Sequence, residues 1–183
     1  MEEYLINKVE PHFYYNALEY INSMAIINDI PEISEVAISL GKMMRYWTDR
    51  NGKWINVNYE LNYINEYLII SKLRYENIFE FEIIKNIHEN KKCPIYILEP
   101  IINEVILNVA GSDTMKKIVI NVSSLEEKLE FKILIENTNS EKSINRKLKE
   151  DKIHKIEERL IELTGSRINI DYNENHTRIS YKI

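Results

Sequence analysis

"KKIVINVSSLEEKLEFKILIE" (residues 116–136) contains two runs in which apolar residues alternate with polar ones. Alternation with a period of two is typical of β-strands that bury one face. The polar "SSLEE" (123–127) between the runs predicts a turn. The stretch therefore predicts two strands separated by a turn, in the middle of the second half of the chain.

The segments around these strands predict a layered α+β domain. "FEFEII" (79–84) also alternates with period two, and "RINIDY" with "TRISYKI" predicts a closing hairpin. The apolar stretch 94–112 predicts a buried helix that ends near Gly111, and "EDKIHKIEERLIELTG" (150–165) predicts a helix that ends at Gly165. This order of elements predicts an α/β sandwich with helices on one face of a sheet.

The first part of the chain predicts helices only. Apolar residues at spacings of three and four predict a helix over 3–28, a second one from Pro31, and a third over about 57–76. Pro11 would lie inside the first helix, where proline usually costs about 3 kcal/mol. A very short connection makes the first two helices antiparallel. Their apolar stripes are broader than one hairpin buries, so we expect a second copy of the chain to cover them.

Composition excludes several classes of function. The 183 residues carry a formal net charge of −5, which argues against a nucleic-acid partner. Cys93 is the single cysteine, so a disulfide framework and a thiolate metal site are both excluded. The longest apolar runs fall well short of the roughly 20 residues that span a bilayer, so we expect no direct membrane contact in this chain.

Six blocks of the sequence resemble, in order, those of LytS-type sensor histidine kinases. The blocks are PHFYYN (11–16), LGKMMRY (40–46), YELNYINEYLIISKLRYEN (59–77), PIYILEPIINEVILNV (94–109), IEERLIELTG (156–165) and HTRISYKI (176–183). The resemblance covers essentially the whole chain. It implies a helical-hairpin dimerisation and phosphoacceptor region (1–78), followed by an ATP-binding sandwich of the GHKL or Bergerat type (79–183).

The resemblance implies that His12 is the phosphoacceptor. A neutral imidazole nitrogen can attack a phosphoryl group, and an imidazole is largely neutral near pH 7. Asn16 follows one helical turn later on the same face, and the resemblance gives it a role in positioning water for phosphatase chemistry. The implied partners are a second copy of the chain, a response regulator receiver domain and, as an alternative phosphodonor, another kinase. Arg45 and Arg74 are open to two interpretations, phosphate-facing or structural.

The predicted ATP site departs from the family pattern. Asn103 and Glu104 stand in inverted order, so that Glu104 takes the position of the magnesium-binding Asn, and Asn108 replaces a His. Glu136 takes the position of the Asp that binds adenine. Glycines at 41, 52, 111 and 165 fall in none of the nucleotide blocks. Backbone amides approach phosphate most closely at glycine, so this degenerate site predicts weak or no ATP binding.

Three functions stay open from the sequence. The first is a cytoplasmic transmitter core, or the cytosolic part of a longer membrane-bound sensor, that acts as a pseudokinase in phosphotransfer and needs no cofactor. The second is an active protein histidine kinase that uses ATP and magnesium in an atypical site. The third is an inert dimeric scaffold.

Overall fold

The computed structural model describes residues 10–48, 52–87, 90–112, 114–138, 148–173 and 176–183. In this part of the chain no helix is both long and apolar enough to cross a membrane. The first two helices, α1 (Pro11–Ile27) and α2 (Pro31–Thr48), form a hairpin. The remaining elements form a small two-stranded sheet, a five-stranded sheet and three further helices.

Helix α1 begins at Pro11, not inside a longer helix. Glu10 has φ −58° and ψ 129°, which is an extended conformation. The prediction of one helix over 3–28 is therefore wrong at Glu10, and residues 3–9 lie outside the described residues. A proline disfavours helical geometry in the residue before it and suits the first helical position, where no N–H is needed. Pro11 thus starts the helix that carries His12.

The hairpin buries mostly small residues and leaves many large ones exposed. Ala25 of α1 and Ala37, Ser39 and Met43 of α2 are buried, and the Leu18 side chain lies close to Gly41. Many large apolar side chains on the same two helices remain in contact with solvent. They include Phe13, Tyr20, Ile21, Met24, Ile26, Ile27, Ile33 and Ile38. The hairpin on its own therefore covers only part of its apolar surface.

The five-stranded sheet has the order β2-β4-β5-β7-β6. Strands β2 (Phe79–Asn86) and β4 (Lys116–Leu125) are parallel, and the connection between them carries helix α4 (Glu99–Ala110). Strands β5 (Lys128–Asn137), β7 (His176–Lys182) and β6 (Asn169–Tyr172) continue the sheet with antiparallel pairing. The predicted strands at 116–122 and 128–136 are thus confirmed as the centre of the sheet.

One face of this sheet forms the core. The inner face presents Ile120, Phe131, Ile133 and Ile179, all fully buried. Three helices cover it: α3 (Val57–Arg74), α4 and α5 (Glu150–Thr164). The outer face is polar, with ion pairs such as that between Lys117 and Glu82 at 2.9 Å. This arrangement confirms the predicted fold class, a helical hairpin followed by an α/β sandwich.

Helix α3 is part of the sandwich core. Its residues Val57, Ile64 and Leu68 are fully buried and lie in the same cluster as the inner face of the sheet. Just before it, β1 (Trp54–Asn56) pairs with β3 (Lys92–Pro94), two short strands that the sequence did not predict. The division at residue 78 stays a prediction, but it separates α3 from the elements with which it shares a core.

Candidate functional site

His12 lies exposed in the first turn of α1, next to Asn16. The Asn16 Nδ2 atom lies 3.2 Å from His12 Nδ1, within hydrogen-bond distance. The spacing of four residues brings the two side chains together on one face of the helix. The other ring nitrogen, Nε2, is left for a reaction partner from solvent.

The orientation of the Asn16 amide decides which imidazole nitrogen is nucleophilic. When Asn16 Nδ2–H donates to Nδ1, the ring proton is on Nε2, which then has no free lone pair. A turn of the amide by 180° brings Oδ1 to a protonated Nδ1 and frees the Nε2 lone pair. Asn16 is therefore placed to select between the two tautomers of His12.

The end of α2 lies beside the start of α1. Tyr15 Oη is 3.1 Å from Thr48 Oγ1, and the Arg45 guanidinium lies 5.9 Å from the centre of the Tyr15 ring. A groove of about 380 Å³ runs between the two helices, lined in part by Glu19, Lys42 and Arg45. The candidate phosphoacceptor is thus at the end of the hairpin that connects to the sandwich.

The predicted nucleotide residues on α4 do not lie on one side of the helix. Asn103 Oδ1 accepts a hydrogen bond of 2.9 Å from the Tyr67 hydroxyl on α3. Glu104 is buried and Asn108 is half-buried, four residues apart on another side of the helix. The inverted order of Asn103 and Glu104 therefore directs the amide toward α3 and leaves a carboxylate in its place.

Glu136 lies on the outer face of the sheet. Its neighbours in β5, Ile133 and Ile135, face the core, and Glu136 pairs in register with Lys117 across the outer face. Asn137 instead faces inward, where Lys116 Nζ donates to Asn137 Oδ1. The Lys116 side chain is buried, and this burial lowers its pKa. The structure separates Glu136 from the three α4 residues by the thickness of the sheet.

These residues do not fit the magnesium–nucleotide site that the resemblance implies. The amide of Asn103 is bonded to Tyr67, Glu104 adds negative charge where a triphosphate would come, and Glu136 faces away. Among the residues that the structure describes, no three His, Cys, Asp or Glu side chains group in a way that would hold a metal ion.

A buried carboxylate that the sequence reasoning missed connects the hairpin to the sandwich. Glu60 of α3 is fully buried. Its Oε2 accepts hydrogen bonds from the Tyr46 hydroxyl at 2.5 Å and from the Tyr96 N–H at 3.1 Å, and its Oε1 accepts from the Leu98 N–H at 3.0 Å. Burial raises the pKa of Glu60, and these hydrogen bonds oppose the shift. A signal existed, because Glu60 lies three residues after Val57 and four before Ile64, on the apolar side of α3.

The loop that leads into α4 is held from two sides. Tyr96 has a φ of 53°, in the left-handed region, and its N–H points to Glu60. On the other side Arg159 of α5 donates to the carbonyl oxygens of Ile95 and Tyr96, each at 3.0 Å. The ring of Tyr46 stacks on Tyr63 at 4.3 Å and meets Tyr96 edge-on at 5.3 Å. Polar and aromatic contacts thus join α2, α3, α5 and the start of α4 at one point.

Two sequence comparisons agree with this arrangement. A family model described as histidine kinase matches residues 2–79. The sensor protein kinase HptS of Staphylococcus aureus is 28% identical over 108 residues, which are 57% of this chain and 20% of that protein. The chain therefore spans about a fifth of the length of the curated relatives that it matches.

Solved structures share the fold. The histidine kinase domain of the blue-light activated kinase of Erythrobacter litoralis matches with a TM-score of 0.51 at 10% identity, covering 94% of this chain and 93% of that one. The Acinetobacter baumannii histidine kinase AdeS matches with a TM-score of 0.51 at 12% identity, covering 93% and 94%. The catalytic domain of histidine kinase ThkA matches with a TM-score of 0.52 at 14% identity, covering 73% of this chain and 97% of that one. The chain is thus similar in sequence to histidine kinases over part of its length, and it shares the fold of histidine kinase domains.

Proposed function

We propose that this chain is the transmitter core of a LytS-type sensor histidine kinase, in which His12 accepts a phosphoryl group and passes it to a response regulator receiver domain. The observation that carries the proposal is the exposed His12, with Asn16 at 3.2 Å from its Nδ1 atom. With the Asn16 amide turned so that Oδ1 accepts from Nδ1–H, the Nε2 lone pair attacks phosphorus. The bond from phosphorus to the donor oxygen breaks, and the Nδ1 proton passes to solvent. In the reverse direction, the Asn16 amide positions water at the aspartyl phosphate of the regulator.

We propose further that His12 receives its phosphoryl group from another phosphorylated protein and not from ATP bound by this chain. Three observations on the predicted nucleotide residues support a protein donor over ATP. Tyr67 donates a hydrogen bond to Asn103, Glu104 is buried, and Glu136 lies on the outer face of the sheet. The donor is a phosphorylated receiver domain or a partner kinase. The chain would then work as a pseudokinase in a phosphorelay.

The exposed apolar face of the hairpin supports a homodimer. Large side chains such as Tyr20, Ile26 and Ile27 are 65–76% exposed, and pairing two hairpins would bury them in a four-helix bundle. We expect Ile27→Asp to shift the chain toward monomer in sedimentation, because a charge in the bundle core is costly. The exposed Tyr59→Ser on α3 is the matched control and leaves the oligomeric state unchanged.

Labelling with radioactive phosphate tests the proposed direction of transfer. The chain is incubated with Mg-ATP, and separately with a phosphorylated receiver domain, and the acid-labile, alkali-stable label is counted with His12→Gln as control. We expect label from the receiver and little from ATP. Strong labelling from ATP that disappears in His12→Gln would show an active kinase instead, and no labelling by either donor would favour an inert scaffold.

A thermal shift gives a second, independent test of nucleotide binding. A ligand present at 100 times its dissociation constant stabilises a protein by about 2.7 kcal/mol. We expect millimolar Mg-ATP to leave the melting temperature unchanged. An increase that is lost in Asn108→Ala would mean that α4 still binds nucleotide.

A further inference from the structure

The hairpin brings a cation close to the candidate phosphoacceptor. Tyr15 follows His12 by three residues, so the two side chains are neighbours on α1. The Arg45 guanidinium of α2 lies over the Tyr15 ring, 5.9 Å from its centre. The hydrogen bond between Tyr15 and Thr48, at 3.1 Å, fixes this end of α2 against α1. Arg45 therefore lies over the side chain that neighbours His12 one helical turn later on α1.

Arg45 is available for an anion. Its side chain is exposed, and no salt bridge joins it to a carboxylate among the described residues. Lys42, one turn earlier on α2, is held instead by Glu66 at 3.0 Å. An exposed cation–π contact is weaker than a bidentate pair of hydrogen bonds from a guanidinium to phosphate. The side chain can therefore leave the Tyr15 ring when a phosphoryl group is present.

The start of α1 adds a second favourable field. His12 lies in the first turn, where the backbone N–H groups carry a partial positive charge. This turn holds no acidic residue, and no side chain caps the helix. The nearby acidic groups are Glu10, which precedes the helix, and Glu19, which lines the groove with Arg45 and Lys42. A dianionic phosphoryl group on His12 would thus meet Arg45 on one side and the helix N-terminus on the other.

We propose that Arg45 is a positioning residue for phospho-His12: its guanidinium moves from the Tyr15 ring to the phosphoryl oxygens and fixes that group for transfer. The inference rests on the proposed role of His12 as phosphoacceptor. It selects the phosphate-facing interpretation of Arg45 over the structural one. The same charge is available to the phosphoryl group during its transfer to an incoming aspartate.

Chemical phosphorylation tests the inference without any kinase or regulator. Phosphoramidate, a small P–N donor, is incubated with the full chain. The Nε2 lone pair attacks phosphorus, the P–N bond breaks, ammonia leaves and the Nδ1 proton passes to solvent. The ³¹P resonance of phospho-His12 is assigned by its loss in His12→Gln and titrated with pH. Phospho-His154 is the internal reference, because His154 is exposed and lies 3.3 Å from Glu158 instead of near a guanidinium.

We expect the dianionic phosphoryl group of phospho-His12 to take up a proton at a pH about 0.5 lower than that of phospho-His154, since a nearby cation favours the dianion over the monoanion. Arg45→Ala should abolish most of this difference, and Arg45→Lys, which keeps the charge, should retain at least half of it. Arg74→Ala is the matched control, because Arg74 is also exposed and lies over a tyrosine ring, 5.3 Å from the centre of Tyr75, but on α3.

Two results would overturn the inference. One is an unchanged titration in Arg45→Ala with the fold intact by circular dichroism. The other is labelling of His154 with none of His12, because a histidine next to a cation that attracts phosphoryl groups should be labelled before an exposed histidine elsewhere. Neither result depends on which molecule phosphorylates His12 in the cell. Failure of the proposed ATP-independent transfer would be seen in a different experiment, the labelling with Mg-ATP and with a phosphorylated receiver domain.

Discussion

Replacing Tyr46 with Phe removes a single hydrogen bond at the connection between hairpin and sandwich. The Tyr46 hydroxyl donates to Glu60 Oε2 over 2.5 Å, whereas its ring, which Phe keeps, stacks on Tyr63. A hydrogen bond to a charged group contributes about 1.5–3 kcal/mol to stability. We therefore expect Tyr46→Phe to lower the free energy of unfolding by about that amount, which corresponds to roughly 0.5–1.5 M in the urea midpoint.

The loss should depend on pH in a definite direction. Burial raises the pKa of Glu60, and the bond from Tyr46 lowers it because the bond favours the ionised carboxylate. The contribution of this bond is therefore complete above the folded pKa of Glu60 and declines as the pH falls through that pKa. The difference between Tyr46→Phe and wild type should therefore grow as the pH rises through the folded pKa of Glu60.

Urea unfolding followed by circular dichroism over a series of pH values measures this difference. Tyr59→Phe is the matched control, because the Tyr59 side chain on α3 is 67% exposed. The free energy of unfolding of Tyr59→Phe should stay within about 0.5 kcal/mol of wild type. If Tyr46→Phe unfolded at the wild-type midpoint, or lost the same free energy across the whole pH series, the assignment of an ionised Glu60 as the acceptor would be refuted.

Three further substitutions test separate parts of the fold. Gly165→Ala should cost about 1–2 kcal/mol, because Gly165 ends α5 with a φ of 74°, whereas Gly111→Ala, at a φ of −94°, should cost little; urea midpoints of the two variants decide this. Ile133→Ala in the centre of the core should cost about 2–5 kcal/mol, and Ile84→Ala on the outer face, where Ile84 is 40% exposed, less than about 0.5, measured in the same way. Lys132 Nζ lies 2.6 Å from Glu130 Oε2 and lowers the pKa of the Glu130 carboxyl. The contribution of Glu130 to stability is therefore present above the unfolded pKa of this carboxyl and is lost as the pH falls through its folded pKa. Glu130→Gln should therefore be less stable than wild type at pH 7 by up to about 1 kcal/mol, with the difference closing below about pH 4, and equal stabilities at pH 7 would contradict this.

The longer elements were predictable because their patterns are repeated many times. Alternation along β4 and β5, and spacings of three and four along α2 and α3, each involve several residues, and the structure confirms those elements. Strands β1 and β3 have three residues each, too few for a period to show. Helix α4 begins at Glu99 and not near residue 94, because Pro94 ends β3 and Tyr96 takes a left-handed conformation.

The proximity of His12 and Asn16 was predictable from the sequence, whereas the surroundings of the nucleotide positions were not. His12 and Asn16 are a local pair, so helical spacing alone brings them together. The nucleotide positions depend on contacts between distant elements. Motif comparison assigned a nucleotide-binding role to Glu136 without regard to the alternation in its own strand. Ile133 and Ile135 are buried on the inner face, so Glu136 lies on the opposite face. The partner of Asn103, Tyr67, is 36 residues away, and no spacing rule predicts such a contact.

The strand order also limits how copies of this molecule associate. The sheet ends in β2 on one side and in β6 on the other, and β6 has only four residues. Strand β2 carries exposed charged side chains, Glu80, Glu82 and Lys85. Short or charged edge strands are poor templates for strand addition, and natural proteins use them to prevent sheets from joining into fibrils. We therefore expect copies of this chain to pair through side chains of the helical hairpin and not through backbone pairing of strands.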